Sequence, residues 1–303
     1  MAIGRRTTIN REAWEARNFM YDAGIASQSA ASTRSMQRVN GRARASFRVS
    51  GGSTRLADLY QSGSAKIRLP KVYDEPTTAV LINTAGGLTG GDRLSLEFAL
   101  DDGAHAIVTS QAAERAYRSQ TGTAKVAAKF QVGASATLEW LPQETILFDA
   151  SNLSRTIEAE LAEEASLLML ESVILGRKAM GEKVRSVFFR DSWRIRRGGR
   201  LVFADEVRLE GDPYDFLSGP ATASGNLCVA TLLDCSPQAE DRLSLARSLL
   251  DALPADRVRA AASAWNGQLI ARLTAADGQD LRTALMSFLT GYRSASLPRV
   301  WHC

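Results

Sequence analysis

The residues of this sequence most able to do chemistry are carboxylates within apolar segments. Five such acids are Glu114, Glu139, Glu144, Asp149 and Glu171. Burying an unpartnered carboxylate is costly, so a series of inward-facing acids would indicate a wet interior that conducts cations. Oxygen ligands hold a borderline divalent ion weakly enough to release it, which suits transit better than storage. The alternative interpretation places these acids on the solvated faces of strands.

Residues 83–93 (NTAGGLTGGDR) invite comparison with a phosphate-binding loop. Such a loop needs a lysine directly after its final glycine, and then a Ser or Thr that holds magnesium. Asp92 occupies the lysine position and would repel the phosphates, so nucleotide binding is disfavoured. The glycines instead predict positive φ angles and close backbone contacts at a tight crossing in a sheet. These glycines are Gly86, Gly87, Gly90 and Gly91.

The sequence contains only two histidines, His105 and His302. A Ser or Cys nucleophile normally needs a histidine base that is held by a third group. His105 lies in an alternating segment, where a packed or hydrogen-bonded strand residue is the expected role. The nucleophile elbow G-x-S-x-G is also missing from the sequence. Hydrolase chemistry is therefore disfavoured.

The three cysteines indicate neither a disulfide framework nor a permanent metal site. Cys228 and Cys235 are separated by six residues and have no paired histidines beside them, so we predict core thiols. His302 and Cys303 form a weak candidate pair for nickel or zinc, together with the terminal carboxylate. Chance adjacency of these two residues is the competing interpretation.

Short alternating segments separated by Gly, Asp and Asn turns dominate the sequence from about Gly41 onward, which indicates an all-β sandwich, barrel or coiled sheet. Apolar residues alternate over 94–100, and the turn at 101–103 precedes a second strand. We predict a hairpin that turns at residues 197–200. Another is predicted at Asn266-Gly267, because this dipeptide readily forms a type I′ turn.

Two segments near the C-terminus, 238–253 and 277–292, have helical periodicity. Residues 157–175 are rich in Glu, Ala and Leu and would be helical by propensity alone. Strands precede and follow that segment, so we predict strands there. Because no repeat or low-complexity linker divides residues 41–303, we predict one β-rich domain with a small C-terminal helical element.

Residues 1–40 form a basic leader that we predict to be flexible. Nine arginines lie in the first fifty residues. Basic residues interleaved with aromatic ones over a folded surface would favour nucleic-acid binding, and that pattern is missing. We also expect no membrane insertion, because no apolar run approaches the roughly 18 residues that span a bilayer. Without a secretory signal, the expected location is the cytoplasm.

Several of these segments, taken in order, resemble the UreD family of urease accessory proteins, also called UreH. The resemblance runs from about residue 42 to residue 301 and leaves the basic leader outside. The segments that carry it are 54–56, 68–70, 86–92, 114–118, 141–149, 171–177, 179–182 and 297–301.

This resemblance implies a maturation chaperone and not an enzyme. Family members bind apo-urease together with UreF and the GTPase UreG, and UreG supplies the nucleotide chemistry and the nickel. The implied fold is a β-helical assembly of many strands with a short helical element. Its interior is proposed to carry a tunnel that leads nickel toward urease, so nickel would be transient and no cofactor permanent.

Motif position gives the candidates for the nickel path: Asp149 and Glu171 first, and then Glu114, Asp92 and Glu144. Each of these acids has a hydrogen-bonding role in a tight loop as its alternative. Two other functions stay open at this point. One is a scaffold that only binds partners and has no metal path, and the other is an enzyme that uses carboxylates as acid and base.

Overall fold

The computed structural model describes residues 38–71 and 76–302. Most of the predicted basic leader, residues 1–37, lies outside the described residues. The described chain is mainly β and is arranged as a β-solenoid with a small C-terminal helical element. The predicted β-helical fold class is therefore confirmed.

Seventeen strands and three α-helices make up the described part of the chain. In chain order they are β1 (Asn40–Ser50), β2 (Ser53–Ser62), β3 (Ala65–Arg68), β4 (Thr77–Asn83), β5 (Arg93–Leu100), β6 (His105–Ser110), β7 (Glu114–Ala116), β8 (Ala124–Val132), β9 (Thr137–Leu141), β10 (Thr145–Leu147), β11 (Ser151–Leu161), β12 (Ser166–Leu175), β13 (Val187–Arg197), β14 (Arg200–Gly211), α1 (Pro213–Leu217), β15 (Cys228–Asp234), α2 (Leu243–Asp251), β16 (Val258–Trp265), β17 (Gln268–Ala275) and α3 (Gly278–Arg293).

Two large sheets form the walls of the solenoid. The seven-stranded sheet has the order β14-β13-β11-β8-β5-β1-β2, and its five inner strands run parallel. In the ten-stranded sheet, β4, β6, β9 and β12 form a parallel ladder. A shorter parallel ladder of β7, β10 and the end of β12 forms a third face. Successive turns of the chain visit these faces in the same order, as in β5-β6-β7 and then β8-β9-β10.

The corners between the two large sheets stack on one another. Gly103 N donates to Ala134 O at 2.9 Å, and Ser166 N donates to Ala136 O at 2.8 Å. These bonds join one turn of the solenoid to the next and satisfy backbone groups that a corner would otherwise leave without partners. The segment at 101–103 is therefore a corner that changes sheets, whereas a hairpin would keep both strands in one sheet.

Antiparallel strands flank the parallel ones at both ends of the solenoid: the pairs β1–β2 and β3–β4 at the N-terminal end, and strands β14 to β17 at the C-terminal end. The hairpin that turns at residues 198–199 joins β13 to β14, and Asn266 and Gly267, both with positive φ, join β16 to β17. Both predicted hairpins are confirmed. Helices α2 and α3 occupy the two segments in which helices are expected, whereas the five-residue α1 is an addition that the periodicity does not indicate.

Strand β12 explains why residues 157–175 look helical. Leu167 and Met169 belong to the core between the two sheets, whereas Leu168 and Leu170 pack in the core beneath α2 and α3. A strand that is buried on both faces reads as a continuous apolar run without alternation. The strands predicted for this segment are confirmed as β11 and β12. Phe98, Phe130 and Trp140 pack together in the core between the sheets, with ring centroids 4.9–6.4 Å apart.

Candidate functional site: an acid-lined cavity

A cavity of about 250 Å³ lies inside the solenoid, bounded by both sheets and the third face. At about 30 Å³ for a water molecule in the liquid, this volume holds several waters. Exposed residues at its mouth include Gly86, Gln111, Ala112 and Arg115. Much of the wall is apolar, and the polar lining residues are Asn83, Ser110, Gln111, Glu114, Arg115, Gln143, Thr145, Arg155 and Glu171.

Arg155 lies at the inner end of this cavity and joins two carboxylates. Its Nε and Nη2 donate to Asp191 at 2.9 and 2.5 Å, and its Nη1 donates to Glu171. Trp140 Nε1 donates to the other oxygen of Glu171 at 2.8 Å. Because Arg155 is on β11, Asp191 on β13 and Glu171 on β12, this cluster links the two sheets across the interior.

Strand alternation places these charges inside. Buried and half-buried residues alternate along β11, and Arg155 lies on the same inward face as Leu153 and Ile157. Asp191 follows the phase of Phe189 on β13. Parallel register then sets Arg155 directly opposite Asp191. Sequence reasoning named Glu171 but missed Arg155 and Asp191, although a charge in phase with buried apolar residues was the signal that could have found them.

The cluster carries one more negative than positive charge when all three groups are ionised. Burial raises the pKa of Glu171; the Arg155 guanidinium opposes this rise, Asp191 reinforces it, and the Trp140 hydrogen bond opposes it. An arrangement with one uncompensated buried charge favours uptake of a proton or approach of a cation. When Glu171 is ionised, the inner end of the cavity therefore favours a cation although it contains an arginine.

Glu114, on β7, is the second carboxylate of the cavity wall. Asn83 Nδ2 donates to its two oxygens at 3.1 and 3.2 Å, and Arg115 N donates to it at 3.2 Å. Burial nevertheless raises the pKa of Glu114 to about 7, against the lowering by these hydrogen bonds. Near neutral pH this side chain is therefore divided between its proton-bearing and charged forms, and a nearby cation would favour the charged form.

The other three acids predicted for a nickel path do not line the cavity. Asp92 is buried and accepts from Val39 N and Thr89 N, both at 2.8 Å, so it ties the glycine-rich loop to the start of β1. Glu144 pairs with Arg282 of α3 at 3.3 Å. In each case donors of a neighbouring loop or helix already hold the carboxylate.

Asp149 lies on the surface next to the third face. Its Oδ2 accepts from Arg118 at 2.7 Å, and its Oδ1 accepts from Arg185 N at 2.8 Å and from Ser186 N at 3.3 Å. The Arg185 N–H makes the largest contribution to holding the pKa of Asp149 below its usual range. The structure therefore separates Asp149 from Glu171, the other leading candidate, which lies in the interior.

The glycine-rich loop has the close contacts expected of it and lacks the features of a phosphate site. A Cβ on Gly90 would lie 2.0 Å from Ser119 Oγ and 2.4 Å from Thr121 O, and one on Gly87 would lie 2.3 Å from the Tyr117 ring. Strand β5 follows the loop, whereas a phosphate loop is followed by a helix whose N-terminus binds the anion. Gly86 and Gly91 have positive φ angles of 75° and 89°.

The histidine and cysteine candidates form no metal centre in the described residues. His105 Nε2 lies 2.9 Å from Glu139 Oε1, as a hydrogen-bonded strand residue. Cys228 and Cys235 are buried free thiols. His302 is exposed, and its predicted partner Cys303 lies outside the described residues. Over residues 38–71 and 76–302, no group of three or more His, Cys, Asp or Glu side chains is placed to hold a metal ion.

None of the helices in the described ranges combines the length and apolar character that a membrane span requires.

Comparison with known proteins identifies relatives over nearly the whole described chain. The family model for UreD urease accessory protein matches residues 39–302. A urease accessory protein UreD from Rhizobium rhizogenes is 46% identical over 275 residues, which cover 90% of this chain and 98% of the relative. The UreD protein of Rhizobium leguminosarum bv. viciae is 46% identical over 274 residues, with the same coverage. That of a Methylobacterium species is 46% identical over 255 residues, 84% of this chain and 90% of the relative.

Proposed function

Because this chain belongs to the UreD family of urease accessory proteins, with a role in urease maturation, we propose that it binds apo-urease together with UreF and UreG and helps deliver nickel to it. The nickel ion is cargo that passes through the acid-lined cavity and does not stay. UreG, a GTPase, supplies the nucleotide step. The glycine-rich loop of this chain, which carries Asp92 where a phosphate loop has lysine, agrees with that division of labour.

One observation carries the proposal: a cavity with an exposed mouth reaches two carboxylates, Glu114 and Glu171, in the interior of the solenoid. With a pKa raised to about 7, Glu114 is partly protonated near neutral pH, so an arriving cation displaces that proton and gains a charged ligand. Glu171 shares the excess negative charge of its cluster with Asp191. Two carboxylates at separate points of the cavity wall attract the ion without enclosing it, which suits passage.

The chain acts in this proposal as a binding and guiding protein, with no substrate turned over. Asp92, Glu144 and Asp149 hold loops and a helix in place and do not meet the ion in the cavity. The experiment expresses apo-urease and the other accessory proteins with this chain, without it, or with Glu114→Gln plus Glu171→Gln. The matched control is Glu158→Gln, on β11 outside the cavity wall, with 45% of its side chain accessible.

We expect urease activity and urease nickel to depend on the chain, and the double variant to co-purify with its partners yet leave urease nickel-poor. The control should behave as the wild type. Full nickel loading with the double variant would instead favour a scaffold without a metal path. If the wild-type chain neither associates with UreF nor raises urease nickel, the proposed partners and delivery role are both wrong. Turnover of a small substrate by the isolated chain would favour the enzyme alternative.

A further inference from the structure

The loop between β12 and β13, residues 176–186 (GRKAMGEKVRS), joins strong positive charge to an exposed apolar side chain. It carries four cations and a single acid, Glu182. Met180, near its centre, is 73% exposed, whereas the other large exposed apolar side chains of the described chain reach at most 50%. Scattered exposed apolar residues are ordinary on protein surfaces. Exposure of this much apolar surface to water is unfavourable. A methionine this exposed, in a short loop with four cations, therefore indicates a binding surface.

Hydrogen bonds hold this 176–186 loop in one shape. Glu182 accepts from Arg177 Nε at 2.8 Å, from Arg177 N at 3.1 Å and from Asp149 N at 3.2 Å. Asp149 in turn accepts from the backbone of Arg185 and Ser186. Val184 is buried in the core of the third face and anchors the second half of the loop. A braced loop loses little conformational entropy when it binds, which favours recognition.

The bracing directs the acids inward and leaves cations outward. Asp149 and Glu182 accept hydrogen bonds from backbone N–H groups. The side chains of Lys183 and Arg185 make no ion pair in the described residues. Arg118, 68% exposed, and Arg115 extend the basic surface toward the third face. The surface has six cations against three acids: Arg115, Arg118, Arg177, Lys178, Lys183 and Arg185 against Asp149, Glu182 and Asp277.

This basic surface is continuous with the mouth of the cavity. The guanidinium of Arg177 lies 4.2 Å from the centre of the Phe148 ring, and Tyr117 packs edge-on against that ring with centroids 5.0 Å apart. Tyr117 OH then donates to the carbonyl of Gly86, a residue of the mouth, at 3.1 Å. A partner seated on the 176–186 loop would therefore lie beside the opening through which the ion passes.

We propose that the 176–186 loop docks on an acidic surface of apo-urease, with Met180 entering an apolar recess and Lys183 and Arg185 facing carboxylates. This inference rests on the proposed function, since it assigns the urease-binding surface. Opposite charges across the interface speed association and select the partner, and a central apolar side chain surrounded by charges is the usual arrangement of a binding hot spot. A nucleic acid would match the cations, but residues 176–186 contain no aromatic side chain on which a base could stack.

The test measures binding of the full-length chain to purified apo-urease at about 50 mM and about 300 mM NaCl, a range over which charge screening changes strongly. Met180→Ser should weaken binding about tenfold at both salt concentrations. Lys183→Glu plus Arg185→Glu should weaken it about a hundredfold at low salt and much less at high salt. The matched control is Arg48→Glu plus Arg55→Glu, an exposed cross-strand pair on the β1–β2 hairpin, which should stay within about twofold of the wild type.

The outcomes separate this inference from the proposed function. If the wild-type chain binds apo-urease and the loop variants bind equally well, the docking surface is wrong while the proposed function stands. If the wild-type chain does not bind apo-urease, both fail. A short DNA duplex serves as the competing probe. Binding to it that is lost in the charge reversal, combined with unchanged apo-urease binding by all variants, would assign the surface to nucleic acid and overturn the inference.

Discussion

Arg155 is the residue on which the interior charges depend. It is nearly fully buried and it alone among the described residues contacts both Glu171 and Asp191. Removing one partner of a buried ion pair leaves an uncompensated charge, at a cost of about 3–5 kcal/mol. We therefore predict that Arg155→Met lowers the free energy of unfolding by about that amount at pH 7.5, measured by chemical denaturation.

The pH dependence of this variant identifies the cause. Arg155 opposes the rise that burial causes in the pKa of Glu171. Without the arginine, Glu171 binds a proton more tightly in the folded state than in the unfolded state, so the loss of unfolding free energy relative to the wild type should shrink as the pH falls toward 5. Arg55→Met, at an exposed strand position, should change stability by less than about 0.5 kcal/mol. If the loss of unfolding free energy in Arg155→Met stays the same from pH 5 to pH 8, this explanation is wrong.

Glu114 predicts a second pH effect, this time in the wild-type chain, because burial raises its pKa as well. Its folded pKa of about 7 lies above the ordinary value of 4.5, so the folded state binds an extra proton between these values. The resulting stabilisation is complete below pH 4.5 and is lost as the pH rises through 7. Between pH 5 and pH 8 the wild type should lose about 1–3 kcal/mol more than Glu114→Gln. If the wild type and Glu114→Gln lose equal unfolding free energy, Glu114 ionises as freely as it does in water. Glu158→Gln is the control for removing an acid elsewhere.

Only some of the charged residues of the candidate site could be predicted from the sequence. Glu114 and Glu171 stand out as acids in apolar segments. Arg155 and Asp191 are equally in phase with inward-facing residues, but their pairing depends on the parallel register of β11 and β13, which are more than thirty residues apart. Asp149 shares a motif with apolar neighbours, yet backbone N–H groups of a distant loop hold it at the surface.

At the scale of elements, the glycine-rich loop depends on close approach of two backbone segments. A Cβ on Gly90 would meet Ser119, Thr121 and Gly122, and two of those contacts are with backbone oxygens that cannot move aside. We predict that Gly90→Ala lowers the free energy of unfolding by at least about 3 kcal/mol. In Gly86→Ala the Cβ would meet nothing within 4 Å, so only the positive φ acts against it, at about 1 kcal/mol. Equal effects of the two variants would contradict the close-approach explanation.

Local signals predicted the elements of this fold better than their pairing. Turn chemistry placed the hairpin at Asn266-Gly267 because both residues must adopt positive φ, a property of the two residues themselves. The corner at 101–103 uses similar turn residues but joins strands in different sheets. That difference arises from contacts with the next turn of the solenoid, at Ala134 and Thr137, and not from the corner residues. The family resemblance therefore predicts the parallel solenoid, whereas the turn residues do not.

At the scale of the whole molecule, the solenoid gives the chain an interior and a surface with separate roles. The interior presents Glu114 and Glu171 to a cavity, and the loop beside its mouth presents cations and Met180 to the solvent. Helices α2 and α3 cover the outer face of the ten-stranded sheet, where Arg282 of α3 also holds Gln143 of the cavity wall. A solenoid built of stacked turns holds Glu114 and Glu171 on strands, so the spacing of these two carboxylates does not depend on loops.

We propose that nickel reaches urease through this cavity, and obstructing the mouth of the cavity without removing any charge is the sharpest test of that route. Ala112 is an exposed residue of the mouth, so Ala112→Trp obstructs the opening with little effect on the core. Ala57→Trp, at an exposed position on β2, is the matched control. The measurement is the nickel content of urease matured with each variant, with co-purification of the partners recorded beside it. We predict that Ala112→Trp assembles with its partners and yields nickel-poor urease, whereas the control yields full loading. Full loading with Ala112→Trp would contradict passage of nickel through this cavity.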